Sequence, residues 1–333
     1  MRFLVSFRRV LIAMAIVAGC PGLASAEVSI RPREAWSGVF GGSEQEFTFE
    51  IVTDDPALDR LTWVFSAKGR TIARGQQAWD QSAGRVSVRL AVPPVRDGVI
   101  FPAELKLEAF GPGHDPLARH VKPLWIFPDD SFAGRTAWLT EQQIALFDPP
   151  GHTRDVLVKA GVPLREIHRL AVLDEVHEGL LLVGEGVSFR AHRGLAESLL
   201  RRAAAGVAVL CLAPADGQWP VPGMENAPDS TAARPVSLIW KRAEVIYELD
   251  KRLDADGWPP DGHFVASGVR LIGARDHVAA EVHSDGDVWP WYEIRYPGRR
   301  AACVVCGFGI VAHWDAGPAP RFLLARIMEY LAE

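Results

Sequence analysis

The sequence predicts an all-β immunoglobulin-like sandwich followed by an α/β three-layer domain. In residues 27–128, segments that alternate apolar with polar residues are separated by turns about every ten residues, which is typical of an antiparallel sandwich. In residues 136–333, continuous apolar segments alternate with amphipathic helical ones, which indicates a parallel sheet with right-handed crossovers. Residues 129–135 are the predicted linker between the two.

Residues 1–26 have the pattern of a secretory signal peptide. Three arginines precede the short apolar segment 10–19, and the tripeptide Ala-Ser-Ala at 24–26 follows it. This is the order of a charged region, an apolar core and a small-residue cleavage site, and the apolar core is too short to span a bilayer. We therefore expect cleavage after Ala26 and a periplasmic or extracellular protein.

The same segment leaves an alternative open. The sequence VAGC that ends at Cys20 resembles the lipobox of bacterial lipoproteins, in which the cysteine becomes a lipidated N-terminus. Pro21 directly after the cysteine counts against this alternative, as does the cleavage pattern that follows it.

The charge of the chain argues against a nucleic-acid partner. The formal net charge is −5, and cleavage after Ala26 would remove Arg2, Arg8 and Arg9 and bring it to −8. A mildly acidic chain without a basic stripe is a poor nucleic-acid binder. No later segment is long and apolar enough for a transmembrane span. About 307 residues remain after cleavage, which is enough for two domains.

Three cysteines remain beyond the signal segment. Cys303 and Cys306 form a CxxC pattern, but it lies inside a predicted buried strand. Side chains three residues apart in a strand point to opposite faces, so these two cannot readily pair. We expect burial for both, with a disulfide from Cys211 to one of them as the alternative. The sandwich itself has no cysteine pair, and mid-strand Trp63 is its expected aromatic anchor.

The α/β half has several recognisable segments. Its main predicted strands are 143–148, 180–186 and 207–214, with helices from Thr153 as N-cap to Gly161 and through 195–206. Residues 167–173 read as a strand or a helix end. Further predicted elements are a helix in 242–254, strands in 269–273, 278–283, 291–298 and 302–311, and a closing helix in 320–332.

Three of these segments carry a family resemblance. LLLVGEGVSF, LLRRAAAGVAVLCLAP and WYEIRYPGRRAACVVCGFGIVAHWD together resemble the class I glutamine amidotransferase-like fold, a flavodoxin-type three-layer sandwich. The likeness is to the non-catalytic members found in exported bacterial proteins and in β-galactosidase trimerisation domains. It covers roughly residues 135–333.

The resemblance implies a lost active site. Active members of that family place a cysteine on a sharp turn after the strand that corresponds to 207–212, and here that turn falls near Ala213-Pro214. Cys211 comes two residues early and points into the sheet by the alternation of the strand. The His-Pro-Glu pattern of the family is absent near the C-terminus. We therefore do not expect glutaminase chemistry.

The sequence Gly184-Glu185-Gly186 ends a predicted buried strand and is a further candidate site. It lacks the third glycine of a dinucleotide loop, where Phe189 stands, and Ser188 lacks the second glycine of a hydrolase elbow, two residues after it. Gly184 and Gly186 then serve either a turn that needs positive φ or a ligand cleft.

Open α/β sheets bind ligands beyond the carboxyl ends of their strands. Five polar residues are expected at this edge and are the catalytic candidates: Asp148, Glu185, Asp216, His313 and Asp315. Carboxylates with a histidine can perform acid–base chemistry or bind a metal. Their spacing matches no ligand motif, so neither a metal nor another cofactor is predicted.

Tryptophans in the loop-rich parts of the second half are the ligand-binding candidates. Aromatic rings stack on sugars, and Trp289, Trp291 and Trp314 are the residues proposed for this role. The alternative is that most of these rings, together with Trp219 and Trp258, fill the core beneath long loops.

Two functions remain open on sequence alone. The first is a non-enzymatic binding or assembly protein of the cell envelope, with a glycan or an envelope protein as partner and with homo-oligomerisation as a further role. The second is an extracytoplasmic hydrolase that uses the edge carboxylates and His313. The missing amidotransferase nucleophile and the tryptophans in exposed loops favour the first.

Overall fold

The structure is a computed structural model that describes residues 28–53, 57–220, 235–255, 270–272, 278–281, 290–297 and 303–333. The signal segment 1–26, with Cys20, lies outside these ranges. Within them, none of the helices combines the length and the hydropathy that crossing a membrane requires.

The first half of the chain, here called the sandwich, consists of two sheets. Its strands are β1 (Ser29–Pro32), β2 (Gly38–Phe40), β3 (Glu44–Val52), β4 (Arg60–Ala67), β5 (Arg70–Ala78), β6 (Arg85–Ala91), β7 (Phe101–Phe110) and β8 (Pro116–Phe127). One sheet has the order β1-β3-β6 and the other β2-β8-β7-β4-β5, and every pair is antiparallel except β2–β8.

The alternation of the sequence accounts for the packing of the sandwich. In β6, Val86, Val88 and Leu90 are buried and the residues between them are exposed, because successive side chains of a strand point to opposite faces. The buried tryptophan of this core is Trp36, whose ring lies 5.1 Å from Phe47. Trp63, the expected anchor, is only half-buried.

The second half, here called the α/β unit, alternates helices and strands. Its helices are α1 (Thr136–Glu141), α2 (His152–Lys159), α3 (Leu195–Ala204), α4 (Glu244–Leu249), α5 (Pro318–Ala332) and a 3-10 helix (Leu170–Glu175). Its strands are β9 (Ala145–Phe147), β10 (Arg165–Glu166), β11 (Leu180–Val183), β12 (Ala208–Leu212), β13 (Gln218–Pro220), β14 (Ser237–Lys241), β15 (Arg270–Ile272), β16 (Val278–Glu281), β17 (Trp291–Arg295) and β18 (Cys303–Cys306).

Seven of these strands form one sheet in the order β10-β9-β11-β12-β18-β17-β14. The first five are parallel, and β17 runs antiparallel to both of its neighbours. Strands β13, β15 and β16 form a separate small sheet. Antiparallel sheets followed by a mostly parallel sheet interleaved with helices confirm the predicted fold class.

Helices cover the seven-stranded sheet on both faces. Leu157 of α2 shares one buried cluster with residues of α4 and α5, whereas Leu195 and Leu199 of α3 belong to the cluster on the other face. The helices after β9 and after β11 therefore lie on opposite faces. The boundary between these two strands is the switch point where such sheets open a crevice.

The three cysteines of the described residues are free and buried. Cys303 belongs to the cluster on the α3 face and Cys306 to the cluster on the α5 face, which confirms that the CxxC pattern is part of a strand. Cys211 also lies on the α3 face and forms no disulfide.

The sandwich and the α/β unit share a packed junction. The rings of Phe127 and Phe322 lie 4.8 Å apart, and Phe132 of the predicted linker is buried in the α5-face core. Asp254 accepts hydrogen bonds from the backbone N–H and the hydroxyl of Ser37, at 2.8 and 2.6 Å. Part of the predicted linker thus contributes to the core.

Candidate functional site

Asp148 lies at the switch point, directly after β9. Its Oδ2 accepts the backbone N–H of Arg154 at 2.8 Å, within the first turn of α2. Its Oδ1 is buried and has no hydrogen-bond partner among the described residues. Gly184 lies against this carboxylate so closely that an added Cβ would be 2.4 Å from Oδ1. The first glycine of the Gly-Glu-Gly sequence is therefore required by close packing.

Thr153 connects α2 to the next loop. The sequence predicts it as the N-cap of α2, but the N-cap is Gly151, two residues earlier and with φ +83°, and the helix begins at His152. The buried Thr153 hydroxyl instead accepts the backbone N–H of Glu185 at 2.8 Å. Thr153 therefore does not cap the helix but joins the first turn of α2 to the loop after β11.

The Glu185 carboxylate is bound by backbone amides of the loop after β18. Oε2 accepts the N–H of Val311 at 2.6 Å, and Oε1 accepts that of Ala312 at 3.0 Å. Burial raises the pKa of Glu185, and the amides oppose that shift only in part. Gly186, with φ +78°, then turns the chain. Both carboxylate oxygens thus hold one loop against another.

The other candidate carboxylates have local partners. Asp216 accepts the Ser188 hydroxyl at 2.6 Å, and that hydrogen bond lowers its pKa. Asp315 is exposed and pairs with Arg321 at 2.8 Å. The backbone N–H of half-buried His313 donates to the carbonyl of Gly309 at 3.2 Å.

The carboxyl edge therefore brings only part of the predicted set together. Asp148, Glu185 and the loop that leads into His313 adjoin one another. Asp216 contacts the end of the Glu185 loop through Ser188, whereas Asp315 pairs with Arg321 on α5. No group of three metal-ligating side chains occurs in the part of the chain that the structure describes.

The tryptophan candidates are mostly core residues. Trp291 is 1% exposed, Trp314 is 8% exposed and Trp219 is fully buried. A ring with this little exposure has no free face on which a sugar could stack. These three tryptophans therefore serve core packing. Trp289 and Trp258 lie outside the described residues.

The turn after β12 has an unusual backbone. Ala213 has φ +23°, one of three positive values among the described non-glycine residues. Its N–H donates to the carbonyl of Cys306, and its own carbonyl accepts the N–H of Gly186 at 3.0 Å. Non-glycine residues adopt such angles only where the surrounding structure imposes them. The neighbouring Cys211 is fully buried.

A second candidate region was not predicted. Helices α4 and α5, the edge strand β14 and its neighbour β17 line an open cavity of about 710 Å³, here called the α4–α5 cleft. Its charged lining includes Lys241, Glu248, Asp250, Arg252, Arg326 and Glu329.

Side-chain ion pairs organise the walls of the α4–α5 cleft. Lys241 pairs with Glu248 at 2.6 Å on the β14–α4 side. Asp250 accepts hydrogen bonds from Arg252 at 2.6 Å and from Arg326 at 2.9 Å. Burial alone would raise the pKa of Asp250, but the hydrogen bonds and charges of these arginines outweigh it and lower the pKa.

Behind this cleft lies a fully buried carboxylate, Glu293 of β17. It pairs with Arg295, accepts the indole N–H of Trp291 at 3.2 Å and is bound by the Tyr330 hydroxyl at 3.0 and 3.1 Å. Burial, followed by the charge of Glu293, raises the pKa of Tyr330 to about 12. This cluster joins the end of α5 to the sheet.

One feature of the sequence indicates this cluster. In WYEIRY, a glutamate stands at the centre of a strand whose neighbours are aromatic or aliphatic. Trp291, Glu293 and Arg295 share one face by strand alternation. A charged pair on an inward face requires a buried partner, but the identity of that partner, Tyr330, depends on tertiary packing.

Comparisons with known proteins give only distant likenesses. No family model matches the sequence, and no curated protein matches it. The fibronectin(III)-like modules of Clostridium thermocellum CbhA are 12% identical over 31% of this chain and 48% of theirs, with a TM-score of 0.22.

Two larger structures are similar over more of the chain. A cycloisomaltooligosaccharide glucanotransferase from Paenibacillus sp. is 9% identical over 56% of this chain and 28% of its own, with a TM-score of 0.25. A Bifidobacterium dentium beta-glucuronidase is 8% identical over 56% of this chain and 43% of its own, with a TM-score of 0.21. The chain spans less than half of each of these three structures.

Proposed function

We propose that this protein is an exported, non-catalytic binding or assembly protein of the cell envelope. Its α/β unit is then an amidotransferase-like domain that has kept the backbone turn of the active site and lost the nucleophile. The observation that carries this proposal is Ala213, a methyl-bearing residue at φ +23° directly after β12, where the family resemblance calls for a reactive cysteine.

The thiols of the chain support the same conclusion. Cys211 is fully buried, and burial raises its pKa well above the ordinary value. The thiolate is the reactive form of cysteine, so a buried thiol of raised pKa is a poor nucleophile. Burial likewise raises the pKa of Cys306 to about 12.

Labelling with an electrophilic glutamine analogue tests the lost nucleophile. The wild-type chain should remain unlabelled, and the matched variant Ala213→Ser should behave in the same way. Ala213→Cys should become labelled at position 213, because it places a thiol on the strained turn. Labelling of the wild type at Cys211 would contradict the proposal.

A neutral or weakly charged glycan is the ligand we propose first, with an envelope protein as the alternative partner. Export, read from residues 1–26, would bring the chain to such ligands. Mass spectrometry of the secreted protein should find Glu27 as the first residue. A lipid-modified Cys20 would instead make it a membrane-anchored lipoprotein. Sedimentation of the mature chain tests the proposed self-association.

A hydrolase remains the second candidate because of one observation. Glu185 has a raised pKa and adjoins Asp148, whose Oδ1 lacks a partner among the described residues; acids with raised pKa are common at catalytic sites. Chromogenic glycoside, ester and amide substrates test this candidate. If the protein is not a hydrolase, the wild type should show no turnover that depends on Glu185. Turnover lost in Glu185→Gln and kept in Glu178→Gln, an exposed control, would support the hydrolase.

A further inference from the structure

The α4–α5 cleft is a cavity of about 710 Å³ that the proposed function leaves unassigned. We infer that it binds an uncharged, hydroxyl-rich ligand, which in the envelope means a neutral oligosaccharide. This inference rests on the proposed glycan-binding function and gives it a location. The cleft lies at the β17–β14 edge of the sheet, away from the carboxyl ends of β9 and β11.

The first argument is charge balance. The lining contains four basic and four acidic side chains, and six of them form ion pairs with one another: Lys241, Glu248, Asp250, Arg252, Arg326 and Glu329. A charged ligand that engages one of these six groups competes with its ion-pair partner, and a partner left uncompensated is costly. A neutral polyol can donate hydroxyl protons to carboxylates and accept from ammonium or guanidinium groups while every pair stays intact.

The second argument is availability. The pair Lys241–Glu248 keeps 28% and 53% of its side-chain surface exposed, and Arg252 keeps 32%. Each carboxylate has about four lone-pair positions, and these ion pairs use only some of them. The lining therefore offers donors and acceptors that are already oriented and still reachable.

The third argument is size and rigidity. About 710 Å³ lies within the range of roughly 300–1,000 Å³ usual for small-ligand sites. Glu293 and Tyr330 hold the end of α5 against β17, and two arginines hold Asp250. Groups that are fixed before binding lose little conformational entropy when the ligand arrives.

Calorimetric titration of the purified full chain tests the inference. The probes are maltotriose, cellotriose and chitotriose, with trigalacturonic acid as a charged counterpart of similar size. We expect one of the neutral trisaccharides to bind and the charged one to bind more weakly.

Two variants locate the binding site. The double change Lys241→Met with Glu248→Gln should weaken binding about tenfold or more, the loss expected for one hydrogen bond to a charged group. Lys251→Trp should obstruct the cleft and weaken binding at least as much. The matched controls are Arg89→Met with Glu46→Gln, an exposed ion pair of the sandwich, and Lys159→Trp at the end of α2, and both should bind as the wild type.

The outcomes separate this inference from the proposed function. If a trisaccharide binds and the cleft variants do not weaken that binding, the cleft is not the binding site, but the proposed glycan-binding function stands. Stronger binding of trigalacturonic acid that the cleft variants abolish would overturn the uncharged ligand class. If none of the probes binds at millimolar concentration, both the cleft as a binding site and a glycan as the ligand are rejected. An envelope protein is then the proposed partner.

Discussion

The carboxyl edge of the sheet and the α4–α5 cleft use the same residue types in different ways. At the edge, Glu185 accepts two backbone N–H groups and Asp148 accepts one, so these carboxylates fix loops. In the cleft, Lys241, Glu248 and Asp250 form side-chain ion pairs around an open volume.

This difference shows why carboxylates near strand ends are weak evidence for catalysis. A loop that follows a buried strand leaves backbone N–H groups in need of acceptors, and an aspartate or glutamate is a ready acceptor. Charged side chains that pair with each other instead can line a cavity without closing it. Four substitutions, from the largest expected effect to the smallest, test this comparison.

Glu293→Ala should have the largest effect. It leaves the Trp291 indole and the Tyr330 hydroxyl without their buried acceptor and Arg295 without its carboxylate, so we expect a loss of about 3–5 kcal/mol in the free energy of unfolding. The control Glu248→Ala, in an exposed pair of the same cleft, should cost about 1 kcal/mol or less. Urea unfolding measures both. Equal losses would show that the cluster behind the cleft is not a structural anchor.

Gly184→Ala should have an intermediate effect at the carboxyl edge. Its Cβ would lie 2.4 Å from Asp148 Oδ1 and 2.9 Å from Asp148 Cβ, so the end of β9 must shift, at about 1–3 kcal/mol. In Gly113→Ala the new Cβ meets nothing within 4 Å, and the change should be within about 0.5 kcal/mol. If the two variants unfold at the same urea concentration, Gly184 does not pack as tightly against Asp148 as described.

Glu185→Gln should change the pH dependence of stability. Since burial raises the pKa of Glu185 in the folded chain above the ordinary 4.5, its contribution is complete below that ordinary value and is lost as pH rises through the raised pKa. The variant lacks this loss, so its urea midpoint should fall less than that of the wild type over the same pH range. Glu141→Gln, at an exposed position, is the control. Parallel pH curves for wild type and Glu185→Gln would contradict the burial of this carboxylate.

Asp315→Asn should have the smallest effect. The side chain is 76% exposed and pairs with Arg321 at 2.8 Å, and exposed pairs contribute at most about 1 kcal/mol. Thermal unfolding should therefore barely change. A large loss of stability, or loss of a measurable turnover, would return Asp315 to the list of functional residues.

The fold was predictable because its signals are local. The alternation in β3, β6 and β7 and the continuous apolar strands β11 and β12 follow directly from which faces are buried. The short strands β1 and β2 were not predicted, because three or four residues carry too little periodicity. Helix α4 ends at Leu249, earlier than its amphipathic pattern indicates, where Asp250 leaves helical geometry and binds two arginines.

The candidate sites were less predictable because their contacts are remote in sequence. Glu185 was a candidate for its position after a strand, yet its partners lie 126 and 127 residues away. The α4–α5 cleft had no motif at all, since its walls come from four separate elements. Trp291 looked suitable for a ligand, but its place on the inward face of β17 made it part of the core.

The sequence by itself determined the order of a β-sandwich and an α/β unit, the burial of the CxxC strand and the absence of a cysteine at the turn after β12. These features depend on residue type and on periodicity along one segment. Tertiary structure alone decided which carboxylates hold loops, which buried partner Glu293 receives and where a cavity remains open. Those outcomes depend on which distant segments meet, because a buried polar group without a hydrogen-bond partner is costly and most such groups find one.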